Sequence, residues 1–211
     1  MKCLTFYKLK KRIIGRCLGI NEWQQSLYLD RPYGMNVIHY VSRYFKNQNQ
    51  VTIVEVGCGI GELIGNVKTS SRMCNKAAYD INPRNIGVGE WLYPKVKFHL
   101  GTFHDVEKGK IDCLIMVNFI HMIEPKELKE ELTMLLKMND VNMFVFDTFQ
   151  KNQGTEYCYS HDGQYLFEGK YELMKKSQGF KTGSGARRYV EYWGKMGVEW
   201  NADNFAKRYA E

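Results

Sequence analysis

One stretch of the sequence, residues 51–61, constrains the fold more than any other. It reads Val51-Thr-Ile-Val-Glu-Val-Gly-Cys-Gly-Ile-Gly61, an apolar β-rich run that leads directly into three glycines at alternate positions. Near-continuous apolar residues predict a strand of a parallel sheet that is covered on both faces. The glycines predict a tight turn that lets the backbone approach a ligand, because a Cβ would block the turn or the contact. The stretch therefore predicts a nucleotide-binding strand–turn–helix unit.

A second apolar run, Ala77-Ala78-Tyr79-Asp80-Ile81, contains an acid near its end. Its position about 20 residues beyond the glycines is where a second strand places a carboxylate against a ribose diol. We therefore expect Asp80 to bind ribose and Ile81 to lie against adenine. Asn82 and Pro83 are predicted to cap and start the next helix.

Strand and helix patterns alternate through most of the chain. Strands are predicted at residues 96–100, 111–117, 142–146 and 186–193, and helices at 124–136 and 165–179. In the first of these helices the apolar positions fall on one face at helical spacing: Leu128, Leu132, Leu135 and Leu136. The predicted fold class is α/β, a Rossmann-like, doubly wound sheet.

The chain is expected to form one domain, because its 211 residues contain no internal repeat and no long low-complexity linker. We divide it into an N-terminal segment 1–33, a Rossmann-like core 34–195 and a tail 196–211 without an assigned role. The first segment contains aromatic and basic side chains that either close over the cofactor or pack in the core: Trp23, Tyr28, Arg31 and Tyr33.

Positive charge is concentrated at the front of the chain, whose net charge is +7. The cations surround apolar side chains in a basic amphipathic segment: Lys2, Lys8, Lys10, Lys11, Arg12 and Arg16. Such a segment either touches an anionic membrane surface or packs on the domain as an ordinary solvated helix. Nucleic acid is a less favoured partner, since no RNA- or DNA-reading motif accompanies the charge.

The six cysteines include no Cys-x-x-Cys pair, which favours reduced thiols and a cytoplasmic protein. No run is apolar enough to span a bilayer. The inner face of the membrane stays open as a location through the basic N-terminal segment.

These motifs together resemble the class I S-adenosylmethionine-dependent methyltransferases. The resemblance covers roughly residues 34–193 and rests on the order of Glu55, Gly57-Cys-Gly-Ile-Gly61 and Asp80. Dinucleotide dehydrogenases usually have Gly-x-Gly-x-x-Gly at the turn instead. The resemblance implies S-adenosylmethionine as cofactor and a mostly parallel seven-stranded sheet with an antiparallel C-terminal strand.

The resemblance also implies roles for individual residues at the cofactor. The turn of Gly57, Cys58, Gly59 and Gly61 would hold the methionine part, Glu55 would support the turn and the amino group, and Asp80 would hold ribose. The family often has an adenine-binding acid after the third strand. This chain departs from that pattern: Thr102 would offer a hydroxyl there and Phe103 would pack on adenine, and the nearest acid, Asp105, comes later.

The fourth strand leads into Asn118, Phe119 and His121, which we expect to border the pocket because ligands bind beyond the carboxyl ends of the strands. Asn118 and Phe119 are expected to contact the cofactor. His121 is the first candidate general base, and its alternative role is to cap the next helix or line the wall. His161, in the polar and aromatic segment 154–163, competes with it, and Asp147 is a further candidate to face the acceptor.

The chain lacks the Asn-Pro-Pro-Tyr or Asp-Pro-Pro-Tyr tetrapeptide of many amino-methyltransferases, so oxygen acceptors are favoured. The first hypothesis is O-methylation of a small molecule or a saccharide hydroxyl, by resemblance to methyltransferases of surface-polysaccharide biosynthesis. An RNA methyltransferase and a nonenzymatic S-adenosylmethionine-binding subunit are the alternatives. No metal requirement is expected, since no clustered acids accompany the fifth strand. The sequence does not indicate an oligomeric state.

Overall fold

The protein is described from a computed structural model, which covers residues 19, 31–70, 73–150, 158–182 and 185–200. The strands in these ranges are β1 (Gln50–Val56), β2 (Met73–Asp80), β3 (Lys97–Leu100), β4 (Gly109–Ile111), β5 (Cys113–Met116), β6 (Asn139–Val141), β7 (Met143–Phe149), β8 (Tyr171–Lys176), β9 (Phe180–Lys181) and β10 (Arg187–Lys195). The helices are α1 (Pro32–Tyr44), α2 (Glu62–Asn66), α3 (Pro83–Leu92), α4 (Pro125–Met138) and α5 (Gly163–Phe167), with short 3-10 turns at Phe103–Asp105 and Ile120–Met122.

One large sheet organises these elements in the order β3-β2-β1-β5-β7-β10-β8, and β9 pairs with a further stretch of β10. The strands from β3 to β7 run parallel to one another. β10 enters between β7 and β8 and runs antiparallel to both. The predicted class, a mostly parallel α/β sheet with an antiparallel C-terminal strand, is confirmed. β1 lies near the middle of this sheet, so the carboxyl ends of β1, β2, β5 and β7 share one edge.

Both faces of the central strands β1, β5 and β7 are buried, which explains their near-continuous apolar sequences. Alternate residues of β1 point to opposite cores: Ile53 packs with residues of α1 and α2, and Val54 packs with residues of α4 and α5. β5 divides in the same way between Ile115 and Leu114. The predicted apolar face of α4 is confirmed, since Leu128, Leu132 and Leu135 are buried and Leu136 packs beside them.

Two predicted elements differ from the structure. The strand predicted at 111–117 is interrupted at Asp112, whose carboxylate accepts the Thr52 N–H at 2.9 Å and the Asn142 side-chain amide at 3.1 Å. The helix predicted at 165–179 is wrong: α5 ends at Phe167, and β8 follows. Glu168 and Gly169 have φ of 50° and 73° and turn the chain, after which pairing with β10 makes residues 171–176 a strand.

The basic N-terminal segment, Trp23 and Tyr28 lie outside the described residues, as does the tail from residue 201. Arg31 and Tyr33 are described at the start of α1. No helix among the described residues is long and apolar enough to cross a membrane.

Candidate active site

The glycine turn after β1 is built from backbone that only glycine adopts easily. Gly57, Gly59 and Gly61 have φ of 68°, 55° and 73°, in the left-handed region where other residues are strained. A Cβ on Gly57 would also overlap the Phe119 ring, which lies directly against the turn. The glycines therefore serve both the turn and the close approach of the chain that follows β5.

Asp80 joins the end of β2 to this turn. Its Oδ2 accepts the Gly59 N–H at 2.7 Å, and its Oδ1 accepts the Asn82 N–H at 2.9 Å and the Asn85 side-chain amide at 3.0 Å. Asp80 is 9% exposed. Each carboxylate oxygen has two lone pairs, so the group keeps acceptor capacity for a ligand hydroxyl. Asn82 also caps α3 as predicted, because its Oδ1 accepts the Arg84 N–H at 3.0 Å.

Glu55 lies beneath the turn and is almost completely buried. Its Oε2 accepts the Ile64 N–H at 3.0 Å, which ties β1 to α2. Burial raises the pKa of Glu55 to about 8, and the nearby carboxylates of Asp80 and Glu62 push it in the same direction. Burial likewise raises the pKa of the Cys58 thiol, which makes this cysteine a poor nucleophile.

The predicted adenine end contains exposed and buried residues. Ile81 is 75% exposed at the end of β2 and offers an apolar surface to a flat ligand. Phe103 is buried in the core, and its ring centroid lies 5.9 Å from that of Phe119. Thr102 caps the following 3-10 turn, and Asp105 folds back so that its Oδ2 accepts the Thr102 N–H at 2.8 Å. A carboxylate therefore does lie beside Thr102.

The chain beyond β5 enters a buried polar network. Asn118 has φ of 72°, and its N–H donates to Asp147 Oδ1 at 2.6 Å. Arg188 on β10 donates from Nε to Asp147 Oδ2 and from Nη1 to Asn118 Oδ1, the second at 2.9 Å. Tyr33 completes the group, since its hydroxyl donates to Asn118 Oδ1 at 3.4 Å.

The two candidate bases lie close to this network, and their surroundings favour the neutral form of both imidazoles. Burial lowers the pKa of His121 and of His161, although the carboxylate of Asp147 works in the opposite direction on each. His161 Nε2 lies 2.8 Å from the Ile120 carbonyl oxygen, which only accepts, so Nε2 carries the proton. Within the described part of the chain, Nδ1 of each ring is buried without a hydrogen-bond partner. His121 is half-buried, whereas His161 is 4% exposed.

Sequence reasoning missed two residues of this site. Asp105 comes later along the chain than the acid of the family pattern, but Thr102-Phe-His-Asp105 has the spacing of a capping box, in which the acid bonds back to the cap residue. Asp147 interrupts the otherwise largely apolar β7, and Arg188 on β10 is buried as well. Two such charges at the same end of a sheet are expected to pair, because an isolated buried charge is costly.

In the ranges that the structure describes, no group of three or more histidine, cysteine or acidic side chains is arranged to hold a metal ion.

The sequence matches no protein-family model and no curated protein. Solved structures do match. The N-methyltransferase NodS from Bradyrhizobium japonicum, in complex with S-adenosyl-L-homocysteine, superposes with a TM-score of 0.66 and 10% identity over 88% of this chain and 97% of that one. Magnesium protoporphyrin IX methyltransferase from Synechocystis, with the same bound ligand, superposes with a TM-score of 0.63 and 13% identity over 77% of this chain and 82% of that one. Small RNA methyltransferase HEN1 superposes with a TM-score of 0.60 and 14% identity over 80% of this chain and 26% of that one.

At 10–14% sequence identity these matches show the fold alone. The chain has the fold of the class I S-adenosylmethionine-dependent methyltransferases.

Proposed function

We propose that the protein is an S-adenosylmethionine-dependent methyltransferase that methylates a hydroxyl group of a small molecule or a saccharide. The observation that carries the proposal is the hydrogen bond from the Gly59 N–H to Asp80, at 2.7 Å. It joins the glycine turn after β1 to the acid at the end of β2, at the carboxyl edge of the sheet where ligands of this architecture bind.

The cofactor half of the site contains donors and acceptors for each part of S-adenosylmethionine. The glycine turn with Cys58 would receive the methionine part, Glu55 beneath it would support the turn, and Asp80 would accept the ribose hydroxyls. Ile81 would cover one face of adenine. Asp105, held beside Thr102, would accept from the adenine amine.

Bound at this position, S-adenosylmethionine would supply an activated methyl group on a sulfonium. The chain would then have to align an acceptor oxygen and remove its proton. His121 is the candidate base, because its ring is neutral and only half-buried, and its Nδ1 faces no acceptor or donor of the described residues. Tyr159, whose N–H donates to the His121 carbonyl at 2.7 Å, is 41% exposed and offers an aromatic surface to a sugar ring. His161 is the alternative base.

RNA is a second candidate acceptor, and one surface favours it. A groove of about 530 Å³ lies between the end of α1 and the segment after α2. Its cations Arg43, Lys46 and Lys68 have no acidic partner among the described residues, whereas Lys110, Lys129, Lys176 and Lys195 each have one. Such a groove suits a polyanion.

The two acceptors are distinguished by one assay with S-adenosylmethionine that carries a labelled methyl group. We expect label in neutral glycosides or other small hydroxyl compounds, with a rate that barely changes with salt. Label in RNA instead, with activity that falls steeply as salt rises and is lost in Lys68→Ala, would replace the saccharide hypothesis. Cofactor binding without label in either class would favour a nonenzymatic binding subunit.

The pH dependence of the same reaction tests His121. Because its pKa lies below the ordinary value of 6.5, the neutral base persists on acidification, and kcat/KM should fall only below that value. His121→Gln should lower kcat by about 100-fold at neutral pH and abolish this acidic limb. His161→Gln is the matched control. A limb that survives in the His121 variant and disappears in the His161 variant would transfer the role to His161.

A further inference from the structure

Asn118 has a left-handed backbone conformation, which is unfavourable for most residues other than glycine. A φ of 72° costs a non-glycine residue roughly 1 kcal/mol, although asparagine tolerates it better than most. Two contacts with the sheet compensate: its N–H donates to Asp147, and its side-chain oxygen accepts from Arg188. The two hydrogen bonds therefore fix both the backbone and the side chain of Asn118.

Arg188 is itself fixed from several sides. The register of β10 places it opposite Phe149, two residues beyond Asp147 on the same face of β7. Its guanidinium carbon lies 4.5 Å from the centroid of the Tyr33 ring and 5.5 Å from that of Phe149. Arg188 is 6% exposed, and its charge is balanced by Asp147, which is fully buried. An arginine held in this way is suited to hold a neighbour in place.

One peptide bond connects Asn118 to Phe119, whose ring lies in the cofactor half of the site. Phe119 follows Asn118, and its ring lies so close to Gly57 that no Cβ fits between them. The dihedral angles at Asn118 determine where the Phe119 ring lies. A change at Asn118 would therefore move a side chain that covers the glycine turn.

We propose that Asp147 and Arg188 are positioning residues for the cofactor site: they hold Asn118 in its left-handed conformation and thereby place Phe119 against the glycine turn. This inference rests on the proposed function, since it assumes that the turn receives the cofactor. It predicts that Arg188 controls cofactor affinity although its contacts lie with Asn118, Asp147 and two aromatic rings.

A purely structural ion pair would behave differently. Breaking a buried ion pair lowers the stability of the protein wherever the pair lies. The loss of the pair changes ligand affinity only if the pair shapes the binding site. A matched control is Lys176 on β8, which lies 2.7 Å from the buried carboxylate of Glu191 on β10. Lys176→Met breaks an ion pair that also involves β10 but does not contact Asn118.

The experiment is a calorimetric titration of the full chain with S-adenosylhomocysteine. Arg188→Met should raise Kd by about tenfold, and Arg188→Lys should raise it less, because one ammonium cannot replace the guanidinium fork. Lys176→Met should leave Kd unchanged even where it lowers stability. Glycine adopts the left-handed conformation without support, so Arg188→Met should have little further effect on Kd in an Asn118→Gly background.

The outcomes separate this inference from the proposed function. Wild-type protein that does not bind S-adenosylhomocysteine overturns both. Wild-type binding with an unchanged Kd in folded Arg188→Met and Arg188→Lys overturns the positioning role alone. Equal effects of Arg188→Met with and without Asn118→Gly would also overturn it, because Arg188 would then not act through Asn118. If Arg188→Met does not fold, Arg188→Lys supplies the comparison in both backgrounds.

Discussion

Replacing Gly57 with alanine is expected to destabilise the protein by about 2–4 kcal/mol and to abolish cofactor binding. The new Cβ would meet the Phe119 ring, and the residue would be strained at φ of 68°. Either the ring leaves the turn or the turn opens, and both changes disturb the site where the cofactor is proposed to bind. The free energy of unfolding in denaturant and the Kd for S-adenosylhomocysteine measure the two effects.

Two other glycines serve as controls for this substitution. Gly169 has φ of 73° but no atom within 4 Å of an added Cβ, so Gly169→Ala should cost only the backbone strain, about 1 kcal/mol. Gly87 lies in α3 with open space around it, and Gly87→Ala should be neutral or stabilise the helix by up to about 1 kcal/mol. Neither should change Kd. A Gly57 variant that loses no more stability than the Gly169 variant would contradict the packing of Phe119 on the turn.

Removing the carboxylate of Asp80 should have the largest effect on cofactor affinity. Asp80→Ala is expected to raise Kd by at least about 100-fold, since bonds to a charged acceptor contribute about 1.5–3 kcal/mol each and ribose offers two hydroxyls. It should also lower stability by about 2–4 kcal/mol, because three donors lose their acceptor.

Asp112 is the matched control for Asp80. It also accepts a backbone N–H and an asparagine side-chain amide, but it lies before β5 at the opposite edge of the sheet. Asp112→Ala should lower the free energy of unfolding and leave Kd unchanged. Equal losses of affinity in the two variants would show that general destabilisation, and not the ribose contact, explains the effect of Asp80→Ala.

Much of the cofactor half of the site was predictable from sequence because its signals are local. A strand followed by a glycine turn, or by an acid and a helix cap, needs no long-range information, and Asp80 and Asn82 lie where these patterns placed them. The return of the Asp105 carboxylate to Thr102 was also predictable, from the capping-box spacing of these two residues.

The acceptor half depends on strand pairing across the chain, which local patterns do not reveal. Arg188 meets Asp147 only because β10 inserts beside β7 in one register, 41 residues away in sequence. The same pairing made residues 171–176 a strand, where their spacing had favoured a helix. The acceptor half therefore could not be predicted from sequence, because it depends on the register of strands far apart in the chain. The fold class and the cofactor-binding residues do not depend on that register.

The identity of the cofactor is the central claim, and a calorimetric titration of the wild-type chain with S-adenosylmethionine, S-adenosylhomocysteine and NAD tests it most directly. We expect the first two to bind with micromolar affinity and NAD not to bind. Binding of NAD alone, or of none of the three, would contradict the assignment of the glycine turn and Asp80 to S-adenosylmethionine.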